Sequence, residues 1–289
     1  MYEKVKLPLY GSLLIVLVVI GISATPFNGG RFIDSHAIMD DVFKSIDNTK
    51  TLKYTMVYSE RLNETKIHTD SNQVKFQKTA RKLYVKLSDG TEVLWIDGEN
   101  KNEALVHPNS FPYVTLSLDP DGSIMRKDQH HSITSTGYDY FEDLLKQVAD
   151  NSKADFDSHF LYLGEVTFNG AKCYSMRVLA PSFKYVPYVV QKGETVITIA
   201  KKLCLSEYKI REYNHLSSYT SVVAGQELVV PDSYAKEMTL YIDKTTMLPL
   251  FVKVEDDKGL FEQYIFKNVN VNAAILDEEF SRKAKEYHF

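Results

Sequence analysis

Apolar and polar residues change their spacing several times along the chain, and each change marks an element. After Ser35, the residues Ala37, Ile38, Val42, Phe43 and Ile46 recur at helical spacing, which predicts a helix over 36–47 with Ser35 as its cap. From Leu52 the period becomes two. Leu52, Tyr54, Met56 and Tyr58 alternate with Lys53, Thr55 and Val57, as in a strand with one buried face. Further strands are predicted over 66–78, 82–87, 92–96 and 102–106, with hairpin signals at Asp89-Gly90 and Asp97-Gly98. Strands joined by tight turns without intervening helices are antiparallel neighbours, which excludes a parallel α/β fold.

A loop rich in Pro, Asp, Gly and Ser follows over 108–135, then a helix over 138–149 with Tyr138, Phe141, Leu144, Leu145 and Val148 on one face. Strands resume over 160–168 and 171–180, joined at Asn169-Gly170, and again over 237–242, 248–255 and 260–268. The stretch between, from Tyr188 to Pro231, has a different character and interrupts one β domain made of residues 34–187 and 232–289. The expected class is α+β: a strongly curved antiparallel half-barrel wrapping helices, with a small βααβ insertion.

Lys4 and Lys6 precede an apolar run from Leu7 to Ile22, followed by Ser23 and Ala24. Residues 1–30 therefore read as a secretory signal or an uncleaved membrane anchor, and both place the rest of the chain in the periplasm or cell envelope. With 44% hydrophobic and 25% charged residues the composition is that of a globular protein. The 19 Tyr and 15 Phe, against one Trp, tilt the expectation further toward pleated structure. A net charge of -4 gives no basic footprint, so nucleic acid is not an expected partner. Cys173 and Cys204 fall in different modules; their spacing does not decide between a disulfide and two independent thiols.

The insertion carries the most specific signal. Tyr188-Val189-Val190-Gln191-Lys192-Gly193-Glu194-Thr195, Ile199-Ala200-Lys201-Lys202, Leu203-Cys204-Leu205-Ser206, Ile210-Arg211-Glu212-Tyr213-Asn214 and Gly225-Gln226-Glu227-Leu228-Val229-Val230-Pro231 follow one another as strand, capped helix, second helix and strand. This arrangement closely resembles the LysM family, which binds peptidoglycan and other N-acetylglucosamine-containing glycans. The resemblance implies a shallow groove between Gly193, Glu194, Thr195 and Val196 on one side and Leu216, Ser217, Ser218, Tyr219 and Thr220 on the other. Glu194 stands where an Asp is commoner, and Cys204 where a Gly or polar residue is usual.

The host domain is similar, less specifically, to the periplasmic lipoprotein carrier superfamily, in which a curved sheet leaves an apolar cavity for acyl chains. The likeness rests on Leu240-Tyr241-Ile242-Asp243-Lys244-Thr245-Thr246-Met247-Leu248-Pro249-Leu250, on Tyr264 to Asn272 and on His131-Ser132-Ile133 before the Tyr138 helix. It implies that Tyr54, Met56, Tyr58, Tyr84, Trp95, Tyr241, Phe251 and Phe266 could line such a cavity, or simply fill a core. His130-His131 is read as a surface pair without metal-ligand partners, and Asp119, Asp121, Asp256 and Asp257 as turn residues. No nucleophile motif or phosphate loop is present, and no cofactor or metal is expected. The leading expectation is a non-enzymatic envelope protein tethered to glycan by the insertion, its host domain holding a lipid or lipidated partner. A lipoprotein or lipid carrier and a scaffold for protein contacts are the alternatives.

Overall fold

The computed structural model describes residues 34–111 and 113–289; the expected export segment lies outside them. Helix α1 (Ser35–Asn48) opens at Asp34, whose carboxylate accepts from the His36 amide, so Asp34 and not Ser35 is the cap. A carboxylate at this position also meets the positive end of the helix dipole, while Ser35 turns inward and is buried. Six strands follow: β1 (Thr51–Leu62), β2 (Lys66–Gln77), β3 (Lys82–Leu87), β4 (Glu92–Ile96), β5 (Ala104–His107) and β6 (Leu116–Leu118). Helix α2 (Tyr138–Asn151) and the single turn α3 (Phe156–His159) lead into β7 (Phe160–Phe168) and β8 (Ala171–Leu179). The insertion supplies β9 (Tyr185–Val189), α4 (Val196–Leu203), α5 (Glu207–Tyr213) and β10 (Glu227–Pro231), and β11 (Glu237–Asp243), β12 (Pro249–Asp256) and β13 (Gly259–Val271) close the chain.

Among the described residues, eleven strands form one curved antiparallel sheet in the order β6-β5-β4-β3-β2-β1-β13-β12-β11-β8-β7. The closing strands return to the middle: β13 pairs with β1 and β11 with β8, so residues before and after the insertion share one sheet. Its inner face is covered by α1 and α2. Leu52, Tyr54, Leu83, Val85, Trp95, Leu240 and Phe266 pack there against Ile38, Val42, Tyr138, Phe141 and Leu145. The outer face of β3 and β4 has a separate cluster, in which Tyr84 and Leu94 are covered by Phe280, Tyr287 and Phe289 of the C-terminal segment.

Four of the expected cavity residues lie elsewhere: period-two alternation turns Tyr84, Tyr241 and Phe251 outward, and Trp95 packs in the core. Tyr84 lies on the outer face, stacked on Tyr287 at 3.9 Å. In β11 it is Met238, Leu240 and Ile242 that are buried, so Tyr241 points outward and stacks on Phe251 at 4.7 Å beside Phe168. Trp95 is on the inner face but belongs to the filled core, where its ring N–H donates to the Asn102 carbonyl.

In the insertion, β9 and β10 pair only with each other, and Val190, Val196, Ile199, Ala200, Ile210, Leu228 and Val230 form a core of their own. Strand β9 begins at Tyr185, earlier than the expected boundary; Pro187 is accommodated because a two-stranded ribbon leaves each strand an open edge. Thr195 caps α4 through a reciprocal pair with Thr198, and Ser206 caps α5. Cys204 ends α4 in the left-handed region, φ 49°. Both cysteines are free.

Candidate functional site

The first turn of α5 docks the insertion on the host. Glu207, Tyr208 and Lys209 are consecutive and all buried. Tyr208 belongs to the host core, and its hydroxyl accepts from the Asn63 amide at 3.1 Å. Glu207 takes a hydrogen bond from Arg126 at 3.1 Å, and the Arg126 guanidinium lies 4.2 Å from the centre of the Tyr219 ring. Lys209 donates to the Tyr234 carbonyl and sits 3.5 Å from Asp256, which is also bonded by Arg61. Asp256 is therefore a buried charge partner as well as a turn residue. Burial pulls the Lys209 amine down, while Asp256 stays below the usual carboxylate range because the bond from Arg61 outweighs burial.

Beside this contact lies a second buried polar group. Glu60 of β1 and Glu262 of β13 are directly opposite in the pairing register, and both are buried. Like charges so placed repel, and the structure offsets them with donors. Glu262 receives Nδ1 of His130 at 2.9 Å, Nε2 of His131 at 3.0 Å and the Tyr234 hydroxyl at 2.5 Å. Glu60 receives the His130 amide at 2.9 Å and the Tyr264 hydroxyl at 3.0 Å.

The two histidines are thus interior groups and not the expected surface pair; His130 is fully buried between the rings of Tyr208 and Phe261. Burial alone would push the His131 imidazolium toward deprotonation, but the Glu262 carboxylate overrides it and raises the group to about 9. Glu262 is held well below the carboxylate range, burial being outweighed by His131 and His130. Glu60, His130 and Glu262 bring three ligand-type atoms within 4.8 Å of one another. The ring nitrogens of His130 face Glu262 and the Arg61 carbonyl, and both carboxylates have hydrogen-bond donors, so the group is self-sufficient as a charge network.

Two cavities adjoin this network. One, about 90 Å³, is bordered by Tyr54, Met56, Tyr58, Phe141 and Phe266 on an aromatic side and by Glu60, Asn72, Gln129, His131 and Tyr140 on a polar side. Four of the eight expected cavity residues meet here. The other, about 440 Å³, lies between α2 and α4 and is bordered by Asp139, Asp143, Ile197, Lys201, Cys204 and Glu207. Ser132, Ser135 and Tyr140 border both and form the partition between them.

The expected glycan residues have mixed placements. The Val196 amide donates to the Tyr219 carbonyl at 2.9 Å, which joins the two loops directly. Val196 and Tyr219 are buried, so their side chains do not form an open floor. Glu194 is tied to Tyr188, Lys202 and the Gln191 amide, and Thr195 caps α4. Gly193, Ser217 and Thr220 are exposed, with Leu216 and Ser218 half-buried.

A family model described as a protein of unknown function, DUF1571, matches residues 49–210. No curated protein matches the chain. Among solved structures, the chain is similar to one in the Pseudomonas aeruginosa MucA/MucB complex at 14% identity and TM-score 0.40, over 87% of this chain and 62% of that one. The chain therefore spans under two thirds of that relative. It is also similar to the Mycobacterium tuberculosis lipoprotein LppX at 8% identity and TM-score 0.39, over 84% of this chain and 97% of that one. A DUF1329 family protein from Desulfovibrio piger is similar at 14% identity and TM-score 0.33, over 86% and 98% of the two chains.

Proposed function

The chain belongs to the DUF1571 family of proteins of unknown function, and from that premise we propose that it is a non-catalytic envelope protein that holds an acyl-bearing amphiphile on the inner face of its sheet. The observation that carries this reading is the pair of cavities parted by Tyr140, the smaller one aromatic on one side and polar on the other. An amphiphile needs that division of surfaces.

The smaller cavity, at about 90 Å³, has room for about three water-sized groups. Joined to the 440 Å³ cleft by movement of the partition at Ser132 and Ser135, it falls in the range of ligand pockets, roughly 300–1,000 Å³. The wall that must yield, residues 129–137, contains only one short 3-10 turn, over Ile133–Ser135. Helix α4 borders the cleft, so in this reading the insertion helps to shape the site. The apolar run at Leu7 to Ile22 supports placement in the envelope.

Native mass spectrometry of the full chain, purified gently from its own cells, tests the proposal. A discrete added mass that fragments to acyl chains is expected. A bare protein that also stays unchanged when offered phospholipid would sink the reading and leave the scaffold alternative.

Glycan binding by the insertion is a second reading, favoured by the two adjacent loops with exposed Gly193, Ser217 and Thr220. Backbone groups there could engage N-acetyl substituents, and a single module would bind weakly. Co-sedimentation with purified peptidoglycan sacculi, reduced by replacing residues 217–220, is its expected result; unchanged sedimentation would dismiss it.

A further inference from the structure

Three buried polar atoms without a hydrogen-bond partner, Asn72 Oδ1, His131 Nδ1 and the Tyr140 hydroxyl, belong to residues that border the smaller cavity. Buried polar groups are almost always paired, so three gathered around one space mark a place for a guest that hydrogen-bonds. Two of them can be donors. His131 commits Nε2 to Glu262 and the Tyr234 hydroxyl, and an imidazolium there leaves Nδ1–H to donate. Tyr140 offers its O–H, since its ring is held edge-on against His131 at 4.8 Å while its oxygen is unclaimed. The guest atom is therefore an acceptor.

Charge narrows the choice. Glu60 borders the same cavity and the His131 imidazolium is already balanced by Glu262, so a full negative charge on the guest meets the buried Glu60 carboxylate. A neutral oxygen escapes that repulsion and keeps both hydrogen bonds. The opposite side, Tyr54, Met56, Phe141 and Phe266, is apolar and takes the first methylenes.

Building on the acyl reading above, we propose that this cavity seats the carbonyl of an acyl ester or amide, its oxygen accepting from His131 Nδ1–H and Tyr140 O–H, and so selects linked acyl chains over free fatty acids.

Equilibrium dialysis of the delipidated full chain at pH 7 against monomyristoylglycerol and against myristate tests this. The ester is expected to bind at least about tenfold tighter than the carboxylate, the scale of one or two hydrogen bonds. Tyr140→Phe should weaken ester binding about tenfold and erase the preference, with an unchanged melting temperature, because the hydroxyl has no partner in the free protein. His131→Gln should do the same to binding, with a loss of stability of its own. Equal binding of both probes, a preference for myristate, or ester binding indifferent to Tyr140→Phe would overturn the inference while leaving the acyl reading intact; the cavity would then hold ordered water only. Failure of both probes to bind the parent protein would remove the acyl reading, and the inference with it.

Discussion

At the scale of single residues, Glu262 and His131 make stability depend on pH in two windows. His131 is raised on folding, from an ordinary value of 6.5 to about 9. Its contribution is fully present below about pH 6.5 and is lost as pH rises through 9, at most on the order of 3 kcal/mol. Glu262 is depressed, so its share is present above about 4.5 and is lost as pH falls below that value. These are two sides of one interaction and are counted once. Thermal melts from pH 6 to 10 should show a falling melting temperature that His131→Asn flattens; parallel curves for both proteins would refute the assignment. Cys204 offers a test of the opposite sign. Its left-handed backbone strains any residue with a Cβ, so Cys204→Gly should raise stability by about 0.5–1 kcal/mol in urea melts.

At the scale of elements, the docking of α5 is the contact that makes the insertion part of the host. Removing one partner of a buried ion pair leaves the other uncompensated, which typically costs about 3–5 kcal/mol. Glu207→Leu leaves Arg126 with Asp121 at 3.6 Å and the His130 carbonyl, and should cost about 1–3 kcal/mol and raise hydrogen exchange in α5 and residues 119–131 together. Exchange confined to α5 would mean that the insertion docks by other contacts. The buried polar group beside this contact was partly legible. Glu60 follows Leu52, Tyr54, Met56 and Tyr58 in the inward register of β1, and Glu262 precedes Tyr264 and Phe266 in β13. A carboxylate at an inward position calls for a buried partner. The partners were not legible, because His130 and His131 come from a loop whose path has no period to read.

At the scale of the whole molecule, the C-terminal segment seals the outer face of β3 and β4. Phe280 is 2% exposed there, and Lys53 and Lys75 hold Glu279 at 3.0 and 2.8 Å. Phe280→Ala should cost about 3 kcal/mol, and truncation after residue 272 should expose Tyr84 and Leu94 and drive self-association on size-exclusion chromatography. A truncated chain that stays monomeric would mean the segment is dispensable. The sequence by itself determined the strands other than β6, which falls within the expected loop over 108–135, together with the antiparallel order of the first meander and the βααβ pattern of the insertion, because local spacing and turn chemistry encode them directly. Only the tertiary structure decided which aromatic residues meet at a cavity, that Tyr84, Tyr241 and Phe251 face outward, and that two histidines and two glutamates gather in the interior. These depend on curvature, on register across β1 and β13 and on a loop folding back over both, and none of these is a property of neighbouring residues.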